Sequence, residues 1–121
     1  PTPPACEPGV IVAVPESFPS DEVPIPPDFV GWEVTMEPHL RLVGTVSPPE
    51  DASLPPHGVA IRPIVDLLRG QGWTPMLNPR VSGQDWDVTA PDGRVLHVNA
   101  SVMPECPGQV RLTYDVYWVT P

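Results

Sequence analysis

The chain contains no lysine, and its six arginines stand against fifteen acidic residues, giving a net charge of −9 over 121 residues. Holding a phosphate backbone takes clustered cations that release counterions, and an anionic bilayer surface attracts polybasic segments. Neither kind of cluster is present, which argues against nucleic acid and against an anionic membrane as partners. No stretch approaches the ~18 consecutive apolar residues of a spanning helix, so membrane insertion is not expected. No signal-peptide pattern opens the sequence, and Pro1 reads as the start of a mature or trimmed chain. Also missing are a phosphate loop, a dinucleotide fingerprint, a CxxC pair and any internal repeat. Arginine used to the exclusion of lysine is what high-GC coding produces, and it needs no functional explanation.

Cysteine is nearly absent as well. Cys6 and Cys106 are the two, near opposite ends. In an exported protein the simplest account is one disulfide closing almost the whole chain, worth about 4 to 5 kcal/mol in the loop-entropy model. A lipid on Cys6 is the rival, weakened by Pro3 where a lipobox wants an aliphatic residue. A reactive thiol is the other, weakened because no cation or histidine adjoins either cysteine to lower its pKa.

What the chain has in excess is proline, 21 residues, nine of them in the first 27. They lie at the boundaries between apolar runs and do not form one tract. Each forbids a helix interior and narrows the unfolded ensemble. A length of 121 residues with 40% apolar content is enough for one domain with one modest core. We read residues 1–121 as a single domain, with residues 1–31 as a Pro-rich strap and 32–121 as the α+β core.

Along the chain, "GVIVAVP" (9–15) reads as a short buried or half-buried strand. "FPSDEVPIPPDFVGW" (18–32) is held near extended geometry by its prolines and reads as an ordered strap, with Phe18, Val23, Ile25 and Phe29 as anchors. From Trp32 to Val46 the even positions are mostly apolar, including Trp32, Val34, Met36, Leu40, Leu42 and Val46, and the odd ones up to Arg41 are polar. This is period two, interrupted by Pro38, and it predicts an edge strand or two strands meeting at a bend. "SPPEDASLPPHG" (47–58) is a loop. Ile61, Ile64, Val65 and Leu68 then fall at i, i+3, i+4 and i+7, predicting a helix that starts near Val59 or Ala60, carries Pro63 in its first turn and ends at Gly70 or Gly72. Alternation returns in a short segment at 73–77, at Trp86–Ala90, at Leu96–Val102 after the "PDG" turn, and at Val110–Trp118. The expected fold is α+β: an antiparallel meandering sheet of five to seven strands with one helix packed on one face. An all-β sandwich with a short helical crossover is the alternative.

Strand parity puts a set of polar residues on the other face: His39, Arg41, His97, Asn99, Arg111, Asp115 and Tyr117, joined by Glu33, Glu37 and Asp87. Mixed Arg, Tyr and His content is typical of protein interfaces, although any two-layer domain has such a solvated face. The loop at 47–58 is long enough to bind something or merely to reach the helix. Met36 beside His39, and His97 near Met103, have the chemistry of a copper site. However, parity separates the first pair, and six residues of strand put about 20 Å between the second. Ser101, His97 and Asp115 offer the parts of a hydrolase triad without an elbow or oxyanion signature. Asp85 and Asp87 share parity, and Asn99-Ala-Ser101 matches a glycosylation acceptor.

The leader "FPSDEVPIPP" entering a strand, then "IVDLLRGQGWTP", "SGQDWDV" and "DGRVLHVNAS", resembles small exported or lipoprotein-borne bacterial domains, particularly actinobacterial ones. The resemblance covers most of Phe18–Trp118. It implies an extracellular or cell-envelope location and lends no catalytic residue, since these domains have no assigned reaction. The sequence thus leads to an exported accessory or binding module without catalysis or cofactor, monomeric or weakly self-associating. It would recognise a protein or other envelope partner through the polar sheet face or the 47–58 loop. The alternative is a small hydrolase, or a copper- or zinc-binding protein using surface histidines.

Overall fold

The computed structural model describes residues 11–49, 55–78, 84–103, 106 and 108–119. Its strands are β1 (Val30–Thr35), β2 (Leu40–Val46), β3 (Thr74–Leu77), β4 (Gln84–Thr89), β5 (Val95–Val102) and β6 (Val110–Val116), with one helix, α1 (Pro56–Gly70), between β2 and β3. All six strands form one antiparallel sheet in the order β1-β2-β6-β5-β4-β3. This is the expected α+β architecture. The β1–β2 hairpin and the β3-to-β6 meander are joined through α1, which carries the chain to the far edge so that the meander returns to pair β6 with β2.

Leu40, Leu42, Leu96, Val98, Ala100, Leu112, Tyr114 and Val116 are fully buried on one face, as period two demands. Two different covers share that face. The helix lies against β3, β4, β5 and β6 and buries Ile61, Ile64, Val65 and Leu68. The strap covers the β2–β6 half. Phe18 and Val23 are buried in the same core, with Ile25 and Phe29 packed against it, so all four expected anchors are used. Phe18 and Phe29 meet the Tyr114 ring edge-on at 5.4 and 6.2 Å, and the Tyr114 hydroxyl donates to the Pro24 carbonyl at 2.8 Å. Burial pushes that hydroxyl's pKa well above the ordinary tyrosine value. Phe29 lies so close to β2 that a Cβ at Gly44 would collide with its ring and with the Val30 carbonyl. The strap therefore depends on Gly44 having no side chain.

Arg94, which no sequence pattern singles out, ties the strap to the rest of the chain. Its guanidinium donates to both Glu22 oxygens (3.1 and 2.7 Å) and to Asp92 (2.9 and 2.8 Å), and lies over Trp118 and Trp73 at 5.0 and 5.8 Å from their centroids. These hydrogen bonds lower the pKa of both carboxyls and raise that of the guanidinium.

Four expectations need correction. The segment 11–15 is not a buried strand: Ile11 is 73% exposed, and the contact with β1 is one bond from Val12 N–H to the Gly31 carbonyl. Alternation does not run unbroken from Trp32, because the β1–β2 register shifts between Gly31 and Glu33 and Trp32 is the extra residue. A bulge of this kind reverses side-chain parity, so Trp32 joins Glu33 on the outer face. The helix begins at Pro56, not Val59 or Ala60, because Pro55 and Pro56 suit the first turn and a missing N–H costs nothing there. Pro63 consequently lies inside the helix and not in its first turn, and it has no N–H to offer the carbonyl of Val59. The C-terminus behaves as expected. Gly72 takes φ +93°, Trp73 N–H bonds the Leu68 carbonyl and Gly72 N–H that of Arg69, which is a complete Schellman motif.

Candidate functional site

The outer face of the sheet carries all seven residues expected to form a binding surface. The β5–β6 register sets His97 opposite Asp115 and Asn99 opposite Thr113, and the β2–β6 register sets Arg41 opposite Asp115. Asp115 is 5% exposed. Its Oδ1 lies 2.9 Å from His39 Nε2 and accepts from Arg41 Nε at 2.9 Å. The His39 ring rests on Tyr117 with centroids 4.5 Å apart. Partial burial, and then the charge of Asp115, raises the Tyr117 pKa above its ordinary value.

A second cluster adjoins the first. Asp85, 4% exposed, accepts from His97 Nε2 and from the side-chain amides of Asn99 (3.2 Å) and Asn78 (3.2 Å). His97 Nδ1 is 3.1 Å from Asp87, to which Asn78 also donates at 3.0 Å. Two buried carboxylates are thus each met by several donors, the condition under which burying a charge is tolerable. The parity shared by Asp85 and Asp87 was visible in the sequence. Asn78 was not foreseeable, because it reaches them from just past the end of β3, a strand whose pairing partner the sequence does not specify.

This geometry does not assemble the catalytic or metal-binding candidates. His97 turns to Asp85 and Asp87. Ser101 pairs with Arg111, four residues along β5 from His97 and so about 13 Å away. Each His97 nitrogen faces a carboxylate oxygen, so neither ring nitrogen is directed at an open ligand position. Among the described residues no group of three or more His, Cys, Asp or Glu is placed to hold a metal ion. Asn99, in the glycosylation motif, is half-buried and donates to Asp85 and to the Gln84 carbonyl at 3.3 Å.

Near the β1 edge, Trp32, Glu33, Arg41, Val43, Arg111 and Thr113 surround an open concavity of about 420 Å³. The Arg111 guanidinium lies 5.4 Å above the Trp32 ring, and no carboxylate among the described residues pairs with it. The indole N–H of Trp32 is buried and has no hydrogen-bond partner there. Sequence parity missed Trp32 because a bulge leaves no reliable mark in a single strand's pattern.

The 47–58 loop is described only at its two ends. Ser47–Pro49 and the start of α1 flank a second, apolar concavity of about 440 Å³ between the strap and the helix. Cys106 is buried at 1% exposure, and Cys6 lies outside the described residues, as do positions 50–54 of the loop. No helix among the described residues is long and apolar enough to cross a membrane. Comparisons with protein-family models, with curated proteins and with solved structures found no match to this chain.

Proposed function

We propose that the chain is a non-catalytic binding module of the extracellular or cell-envelope space, and that the outer sheet face docks a protein partner bringing a carboxylate to Arg111. The observation that carries this reading is the contrast within one face. His39, Arg41, Asp115, His97, Asp85 and Asp87 are hydrogen-bonded among themselves, while Arg111 stacks on Trp32 and pairs with no acid among the described residues. Trp, Tyr and Arg are the residues that dominate interface energetics, and here Trp32, Arg111, Arg41 and Tyr117 lie on or beside one sheet face. The hydrogen bonds within the face hold their side chains before any partner arrives, which reduces the ordering cost of binding. Two cysteines near opposite ends of the sequence, together with the resemblance of the strap and "GW" helix to exported domains, support the location.

The test is capture from cell-envelope extract on the immobilised chain, comparing Arg111→Glu and Trp32→Ala with Arg62→Glu on the exposed helix surface. A specific partner should be lost with both face variants and retained with the helix variant. A partner that survives Arg111→Glu would sink this reading.

A further inference from the structure

The second concavity, where the strap meets the first half of α1, is a separate site. Its floor and walls are almost entirely apolar, with Ile64 and Leu67 from the helix facing Ile25 and Val46. Leu67 is 55% exposed, a large apolar side chain left largely uncovered by the described residues. A volume of about 440 Å³ lies within the range of small-molecule sites.

The polar character of the lining is one-sided. Six of its fourteen residues are proline (24, 26, 27, 48, 49 and 63), and none of these has an N–H to donate. Pro63 also deprives the Val59 carbonyl of its i+4 donor, and both residues belong to the lining. Asp28, at the rim, uses Oδ2 to accept from the Ser47 backbone N–H at 2.9 Å and has its other oxygen for a second donor. Apart from the Ser47 hydroxyl, the side chains of the lining therefore offer an acceptor and a negative charge and no donor.

We propose that this groove binds a small organic cation: an apolar, ring-sized body seated between Ile25 and Leu67, with an ammonium directed to Asp28 and the Val59 carbonyl. Anionic ligands of the same shape are refused because they would bring acceptors to acceptors. The net charge of −9 adds to that discrimination at low salt.

The experiment uses the full chain and three probes that share an indole with a two-carbon stem: tryptamine, uncharged 3-ethylindole and the anion indole-3-propionate. Each is titrated while amide chemical shifts are followed. Tryptamine should saturate, with its shifts centred on Val59, Ile64 and Leu67, and should bind more tightly than 3-ethylindole. Indole-3-propionate should bind weakest. Asp28→Asn keeps an acceptor for Ser47 and should bring tryptamine about fivefold closer to the neutral probe, the effect of one partly exposed charge pair. Leu67→Arg, at an exposed position that leaves the core intact, should abolish all three. Equal or tighter binding of the anion would overturn the proposal. So would shifts centred elsewhere, or shifts of these residues that follow protein concentration without any probe, which would make the groove a contact between copies of the chain.

Discussion

At the residue scale the strongest local arrangements join segments far apart in sequence, and their energetics follow from burial and charge. Glu22 is held below its ordinary value of 4.5 by its hydrogen bonds from Arg94. A carboxyl with a depressed folded-state pKa contributes stability above the unfolded value and loses it as pH falls through the folded one. Stability should therefore decline from about pH 4.5 downward. In Glu22→Gln that decline should be shallower, with a loss at neutral pH of no more than about 1 kcal/mol because the pair is partly solvated. Urea midpoints measured between pH 7 and 3 would show this, and parallel curves for the two proteins would contradict it. Trp32 teaches a different lesson. Its chemistry was legible in the sequence and its direction was not, because one inserted residue in β1 decides which face it joins.

At the scale of elements, the helix and the strap divide the work of covering a single apolar sheet face. The helix was largely legible: the 3.6-residue pattern identified Ile61, Ile64, Val65 and Leu68, and the glycines identified its end. Its start was misplaced because a proline in sequence announces either a first turn or a tolerated kink, and only packing chooses between them. Gly72→Ala should cost about 1 kcal/mol, since an L-residue is forced to φ +93°. Thermal unfolding with far-UV circular dichroism would measure it. The strap was legible through its spaced prolines and four anchors. What the sequence did not contain was its partner, the Tyr114 hydroxyl on β6. Tyr114→Phe should lower stability by about 1 kcal/mol. It should speed proteolytic cleavage within 18–29 while β5 and β6 amides keep their exchange protection, and uniform loss of protection would show instead that strap and sheet unfold as one unit.

For the whole molecule, one open sheet carries a covered apolar face and a polar face whose buried carboxylates, Asp85 and Asp115, are hydrogen-bonded. We propose that Cys6 and Cys106 close the chain through one disulfide, which should contribute about 4 to 5 kcal/mol. Thiol titration of the denatured, unreduced protein should find no free thiol, and reduction should lower the unfolding midpoint; two titratable thiols would refute the closure. The sequence by itself determined the α+β class, the apolar parity of β2 and of β4 to β6, the helical face and the strap's anchors, because these depend on periods of 2 and 3.6 residues and on proline's fixed φ. Tertiary structure alone decided that β6 pairs with β2, and so that Asp115 meets His39 and Arg41, and that Asp85 gathers His97, Asn99 and Asn78. It alone placed the groove between strap and helix. The physical reason is that strand parity fixes which way a side chain points, whereas its neighbour is fixed by which strands pair and in what register, and those are properties of the closed fold.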